Sequence, residues 1–240
     1  FQVTIGDLEA AITPRTRGVI VNTPCNPTGV QWSREALEGV ARVATEHDLV
    51  VVADDIYTLF TYREPFVPFA SLPGMAERTV TIGSFSKDYL MTGWRIGWIL
   101  APADFVSTAR DVNENNVFTA PSISQRAALN ALERRAELRP PVKELYRGRL
   151  QRAYERVQRL PHMDAFEPQG TIYLWVDIRE TGLTSLECAA RIVEEAHILT
   201  IPGTAFGASG EGFLRLAVTV GEEQIDEAFD RLERMSIFGD

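Results

Sequence analysis

Lys87 follows two small hydroxyl residues in Ser84-Phe85-Ser86-Lys87, and eight positions later Arg95 stands between glycines in Gly93-Trp94-Arg95-Ile96-Gly97. A lysine amine attacks an aldehyde only when it is deprotonated, a state that desolvation or a neighbouring cation favours. Arg95 supplies such a cation, and its planar guanidinium can grip phosphate oxygens with two parallel hydrogen bonds. The chemistry this pattern offers is therefore covalent capture of an aldehyde beside a bound phosphate. Pyridoxal phosphate combines the two groups in one molecule.

Two other segments carry residue types that such a ligand needs. The apolar run Val19–Val21 enters Asn22-Thr23-Pro24-Cys25-Asn26-Pro27-Thr28-Gly29, whose prolines and glycine stop regular structure and shape a turn. A second apolar run, residues 49–53, stops at Asp54-Asp55-Ile56-Tyr57, and a third, residues 79–83, stops at Ser84. In an open parallel sheet, ligands bind beyond the carboxyl ends of the strands, so residues after three such strands can converge. Asp54 can hold a proton on a pyridine nitrogen through a charge-assisted hydrogen bond, which keeps the ring an electron sink. Asn26 and Tyr57 can donate to a phenolic ring oxygen. Taken singly, Asp54 can cap a helix and Tyr57 can fill a core. The order of all these residues in one chain is what singles them out.

Those motifs resemble the class I/II aminotransferases of the aspartate aminotransferase superfamily, pyridoxal phosphate enzymes of fold type I. The matching pieces are Asn26-Pro27-Thr28-Gly29, Asp54-Asp55-Ile56-Tyr57, Ser84 to Lys87 and Thr92 to Gly97. Later, Pro202-Gly203-Thr204-Ala205-Phe206-Gly207 leads to Gly212-Phe213-Leu214-Arg215-Leu216, which looks like the family's carboxylate-binding arginine segment. The resemblance runs along essentially the whole chain. It implies that Lys87 forms a Schiff base with pyridoxal 5'-phosphate and then shuttles a proton. It also implies that Ser84, Ser86 and Arg95 bind the phosphate, that Asp54 pairs with the ring nitrogen, and that Asn26 and Tyr57 contact the ring oxygen. Arg215, with Asn26, is then the substrate-binding pair. Arg215 has its own warrant, since a guanidinium matches a carboxylate bidentately and apolar neighbours suggest a strand that holds it rigid.

The implied reaction is transfer of an amino group between an amino acid and a 2-oxo acid. A β-elimination lyase on the same scaffold is an alternative, because the cofactor stabilises the same carbanion for several outcomes. A ligand-sensing aminotransferase-like domain of a transcription regulator and a noncatalytic scaffold are others; intact Lys87, Asp54, Arg95 and Arg215 argue against the last. Family members also carry a glycine-containing phosphate loop, a ring-stacking aromatic and an N-terminal arm upstream of this region. None precedes Phe1, so the sequence reads as the C-terminal portion of a longer enzyme, and alone it is expected to bind cofactor weakly. The family's homodimeric habit makes a homodimer the expected assembly.

Composition fits a soluble enzyme. The 240 residues are 45% apolar, enough for a sizeable core, and carry 24 basic against 33 acidic side chains, a net charge of -9. That balance leaves no electrostatic footprint for nucleic acid. No apolar run reaches the length of a membrane span. The two cysteines, Cys25 and Cys188, lack framework spacing and suit a reducing compartment, with the cytoplasm the default. Cys25 reads as a tolerated small residue. His47, His162 and His197 lack the spacing of metal ligands and read as helix-end or surface residues.

The elements alternate between strand and helix, and the resemblance implies an α/β chain of fold type I: part of a large, mostly parallel-sheet domain, then a C-terminal α+β small domain. Ser33 is the expected cap of a helix reaching His47, with Leu37, Val40, Ala41 and Ala44 on one face. A helix is expected over 122–138, a break at Pro140-Pro141, and a long helix over 142–160 with its arginines mostly solvated. A strand over 171–176, a helix over 184–196, strands near Ile198 and over 213–218, and a helix over 222–235 complete the chain. The boundary is expected near 140–150, with residues 1–145 as the cofactor-binding domain and 146–240 as the small domain.

Overall fold

The computed structural model describes residues 3–238. They form two compact units: one contains residues up to Pro24 and Gln31–Val142, the other Cys25–Val30 and the residues from Lys143 onward. In the first unit a short helix α1 (Ile5–Ala11) precedes β1 (Gly18–Asn22), α2 (Arg34–Glu46), β2 (Val50–Asp54), β3 (Thr79–Ser84) and β4 (Gly97–Leu100). The strands form one sheet in the order β1-β2-β3-β4. The first three run parallel, with Asn22 opposite Asp54 and Asp54 opposite Ile82. All three expected strands end where their functional residues begin.

α2 shows why the order βαβ folds here. The Ser33 hydroxyl accepts from the Ala36 amide at 3.2 Å and starts the helix. Leu37, Val40, Ala41 and Ala44 then recur on one face and pack in a cluster with Val21 of β1 and Val51 and Ala53 of β2. Phe69, Leu72 and Met75, from the connection into β3, complete that cluster. Burying such side chains stabilises the fold by roughly 1.5–3 kcal/mol each, so the strand ends are anchored by a core that needs no ligand.

β4 was not among the expected strands. It pairs antiparallel with β3, setting Ser84 opposite Gly97 and Gly83 opposite Trp98. A side chain on Gly97 would put its Cβ 2.7 Å from the Gly83 carbonyl oxygen. Glycine thus permits the closeness of the two strands. α3 (Ala103–Asn116) follows without a buried residue, and α4 (Ser122–Glu133) contributes Ala128 and Ala131 to a second cluster with Phe85 and Met91.

The helix expected over 122–138 ends at Glu133, and the expected break at Pro140-Pro141 is absent. Both prolines lie inside α5 (Arg135–Val157). The proline ring fixes φ near the helical value, so a proline pair can continue a helix at the expense of two backbone hydrogen bonds. Arg134, the residue between α4 and α5, is the actual interruption.

In the second unit, Tyr146, Leu150, Ala153 and Val157 form the buried stripe of α5. An antiparallel sheet follows in the order β5-β6-β8-β7, from β5 (Asp164–Ala165), β6 (Tyr173–Asp177), β7 (Ile201–Pro202) and β8 (Phe213–Ala217). α6 (Ser185–Arg191) opens with a capping box, Thr184 and Glu187 each satisfying the other's backbone amide, and runs into a wider π turn over Ile192–Ala196. The left-handed His197 ends that turn, and the strand expected near Ile198 begins only at Ile201. α7 (Glu222–Leu232) buries Ile225, Phe229 and Leu232. On α5, Arg147 and the Asp226-paired Arg152 stay exposed as expected, whereas Arg156 is largely covered and pairs with Asp230 at 2.6 Å and Glu233 at 2.9 Å on and beyond α7.

Candidate active site

The predicted residues fall into two groups, one in each unit. Asp54, Tyr57, Ser84, Ser86, Lys87 and Arg95 belong to the first; Asn26 and Arg215 belong to the second.

In the first group, parallel pairing puts the end of β1 beside the end of β2. The Asn22 side-chain amide donates to an oxygen of Asp54 at 2.8 Å. The second carboxylate oxygen is thus left to meet a further donor, the arrangement that a protonated ring nitrogen needs. Asp55 points its backbone amide to the Ile82 carbonyl at 2.9 Å, and burial followed by the nearby Asp54 charge pushes its carboxyl up to about 7. Tyr57 is almost completely buried three residues beyond the strand.

The Lys87 loop is built by the antiparallel β3–β4 pair, which returns the chain to Ser84 after twelve residues of turns. The Ser86 amide donates to the Ser84 hydroxyl at 3.0 Å, the Leu90 amide to the Lys87 carbonyl at 3.2 Å, and the Met91 amide to the Phe85 carbonyl at 3.2 Å. Phe85 and Met91 sink into the cluster with α4, and the Ser124 hydroxyl on α4 donates to the Trp94 carbonyl at 2.7 Å. These anchors leave Lys87 half-buried on the loop. Arg95 adopts a left-handed conformation at φ 49° and donates to the Thr92 carbonyl at 2.8 Å. Among the described residues, neither Lys87 nor Arg95 is ion-paired.

A lysine and an arginine with no acidic partner among the described residues, two hydroxyls and an anchored carboxylate fit pyridoxal phosphate. Arg95 and the hydroxyls suit the phosphate, the lysine amine the aldehyde, and Asp54 the pyridinium.

In the second group, Arg215 lies opposite Trp175 in the β6–β8 register. Its guanidinium carbon sits 4.3 Å from the Tyr173 ring centroid and 4.8 Å from that of Phe206, within cation–π range of both. One terminal nitrogen donates to the Asn26 side-chain oxygen at 2.7 Å. Its Nε is buried and has no hydrogen-bond partner among the described residues. A buried unpaired donor is costly, and a carboxylate ligand would satisfy it. The turn carrying Asn26 is closed by the Cys25 amide donating to Val30 at 2.9 Å, and Gly29, at φ 71°, accepts from the Gly170 amide at 2.9 Å.

Sequence reasoning missed Asn22, Asp88 and Arg139. Asn22 was legible as the residue at the end of β1 in line with Asp54. Asp88 is buried and accepts from the Thr58 hydroxyl and from Arg139, both at 2.9 Å, a meeting of residues 30 and 51 positions away that no local spacing signals. Burial raises its carboxyl above the ordinary value, outweighing Arg139 and Thr58. Cys188 is buried with its thiol pushed up to about 11 by desolvation, so it is a packing residue and no nucleophile. No cluster that could hold a metal ion occurs among the described residues, and none of their helices is long and apolar enough to cross a membrane.

The family described as aminotransferase class I and II matches residues 1–232. The chain is 36% identical over 238 residues to aromatic-amino-acid aminotransferase 2 of Thermococcus litoralis, covering 98% of this chain and 61% of that protein. It is 35% identical over 238 residues to an aspartate aminotransferase of Pyrococcus abyssi, with coverage of 98% and 61%. The crystal structure of an aromatic aminotransferase from Pyrococcus horikoshii superposes with a TM-score of 0.93 at 36% identity, covering 98% of this chain and 63% of that one. The chain spans about 60% of the length of the curated relatives it matches. Lys87, Asp54 and Arg95 at the ends of a mainly parallel sheet, and that continuous similarity, lead to one conclusion: the chain belongs to the class I and II aminotransferases, the pyridoxal phosphate enzymes of fold type I.

Proposed function

We propose that this chain carries the lysine half of a pyridoxal phosphate-dependent aminotransferase that moves an amino group between an amino acid and a 2-oxo acid. The observation that carries the reading is Lys87: half-buried, unpaired by any acid among the described residues, and rooted at the end of β3, whose neighbour β2 ends in Asp54.

Each residue has a defined task in that reaction. The cofactor, when bound, supplies an aldehyde and a ring that withdraws electrons from the substrate's α-carbon. The Lys87 amine would hold the aldehyde covalently and, when free, would carry the proton taken from the α-carbon. Lysine suits this task because its amine can act both as a nucleophile toward a carbonyl and as a base. Asp54 holds the proton on the ring nitrogen, oriented by Asn22. Tyr57 and Asn26 donate to the ring oxygen. Ser84, Ser86 and Arg95 grip the phosphate, and Arg215 takes the substrate's α-carboxylate bidentately.

In this reading residues 1–145 form the cofactor-binding domain and residues 146–240 the small domain. A homodimer in the cytoplasm is the proposed assembly and place, supported by the family resemblance and by two cysteines that form no disulfide.

The test is a half-reaction. Enzyme loaded with pyridoxal phosphate is mixed with an amino acid, and the visible spectrum is followed while the released 2-oxo acid is quantified. One equivalent of 2-oxo acid per site, returned to amino acid by adding a second 2-oxo acid, is the expected result. Release of ammonia in place of amino transfer would make the chain a lyase.

A further inference from the structure

The Lys87 loop is neither helix nor strand, yet its lysine must meet a small ring at a fixed angle. Its neighbour, Asp88, is almost fully buried. One Asp88 oxygen accepts from the Thr58 hydroxyl at 2.9 Å and from a terminal nitrogen of Arg139 at 2.9 Å; the other accepts weakly from the Leu59 amide at 3.4 Å. Thr58 and Leu59 directly follow Tyr57. Arg139, on α5, also reaches the Thr58 hydroxyl at 3.5 Å and lies 5.9 Å over the ring of Tyr89, which itself rests 5.3 Å from Phe85. One carboxylate thus bridges the turn after β2 to the turn after β3.

Burying an ion pair is a poor way to gain stability, because desolvation offsets most of the attraction, but it fixes geometry well. Three donors on one carboxylate hold its position against rotation, and its backbone is that of the residue next to Lys87. Displacing the lysine root by about an ångström is enough to cost a large factor in rate.

We propose that Asp88, held by Arg139, is a positioning residue that locks the Lys87 turn to the Tyr57 turn and so sets the angle at which the lysine and the tyrosine hydroxyl meet the cofactor. The inference rests on the assignment of Lys87 and Tyr57 made above. A structural role alone would lower stability and leave the cofactor's surroundings unchanged.

The experiment compares wild type, Asp88→Ala, Thr58→Val and Arg139→Met, each loaded with pyridoxal phosphate, well below their unfolding midpoints. It reads the visible circular dichroism of the bound cofactor, the rate at which Lys87 captures it (borohydride quench and peptide mapping), and kcat and KM. Asp88→Ala should lose at least half of the cofactor's dichroism, slow capture by Lys87 at least fivefold, and lower kcat 10- to 100-fold with KM for the amino acid within twofold. Thr58→Val and Arg139→Met should move the same readings in the same direction by smaller factors, and Arg139→Met added to Asp88→Ala should change them no further. Should Asp88→Ala fail to fold, the other two variants decide: unchanged dichroism and capture rate in both overturn the proposal. Lower melting temperature with unaltered dichroism, capture and kcat in Asp88→Ala overturns it as well. Capture at a residue other than Lys87 in wild type would instead remove the underlying assignment, an outcome that the peptide map separates from the rest.

Discussion

Asn22 and Asp54 stand opposite each other in the β1–β2 register and are joined by a 2.8 Å hydrogen bond from amide to carboxylate. The amide donor orients the carboxylate and leaves its other oxygen for a pyridinium. Replacing Asp54 by Asn removes the carboxylate charge and keeps the shape. Lost electrostatic stabilisation of this kind is worth about 3 kcal/mol or more, so Asp54→Asn should slow the half-reaction more than a hundredfold in a folded protein. Asn22→Ala removes only the orienting hydrogen bond, worth about 1 kcal/mol, and should slow it about fivefold. Stopped-flow single turnovers measure both; a folded Asp54→Asn protein at wild-type rate would contradict the role.

Arg215, clamped between Tyr173 and Phe206 with Asn26 on one nitrogen, is set to act on substrate. Arg215→Ala should raise KM for amino and oxo acids by about a hundredfold, the worth of a charge-assisted pair near 3 kcal/mol, while cofactor content stays stoichiometric. Arg215→Lys should recover little, because an ammonium cannot form the fork. Cofactor loss with normal KM is the opposing outcome.

Asp55 adds a pH signature to stability. Its carboxyl titrates near 7 in the folded chain against 3.8 as the ordinary value, because burial and then Asp54 disfavour its charge. The folded state therefore binds the proton more tightly, and this favourable contribution is complete below about pH 4 and lost as pH rises through 7. Asp55→Asn abolishes the penalty of ionisation and should stabilise the protein at pH 8 relative to wild type by on the order of 2–4 kcal/mol, with little difference at pH 4. Urea midpoints for both proteins across that window check it. Parallel pH profiles would show that Asp55 does not carry the effect.

Gly97 tests the β3–β4 pairing that builds the lysine loop. A Cβ there meets the Gly83 carbonyl oxygen at 2.7 Å, a backbone atom that cannot swing aside. Gly97→Ala should cost about 1–3 kcal/mol by overpacking and weaken cofactor retention with it. Denaturant unfolding and cofactor titration read the two effects; wild-type values in both would mean that the strands part without consequence.

The site was legible because its residues sit where apolar runs stop. Val19–Val21, residues 49–53 and residues 79–83 are short, branched and bounded by polar or turn residues, so strand ends and chemistry coincide in the sequence. β4 was hidden because Gly97-Trp98-Ile99-Leu100 directly continues the arginine motif and has no turn signal of its own; the pairing with β3 is a tertiary event. α3 escaped notice although Phe105, Val106, Ala109 and Val112 recur at helical spacing; in the structure Phe105, Val106 and Val112 lie exposed. Pro140-Pro141 misled because proline usually stops a helix through its missing amide, whereas here both rings, with φ fixed near the helical value, lie inside α5. The Asp88 bridge joins residues 30 to 51 positions apart, a distance over which single-sequence patterns carry no information.

Covalent attachment at Lys87 is the claim on which the rest depends, and it has a direct measurement. The protein is incubated with pyridoxal 5'-phosphate, reduced with borohydride, digested, and its peptides are weighed. One phosphopyridoxyl group per chain is expected, on Lys87, with disappearance of both the adduct and the visible absorbance in Lys87→Ala. A stoichiometric adduct on Lys143, or a reducible adduct that survives in Lys87→Ala, would contradict it.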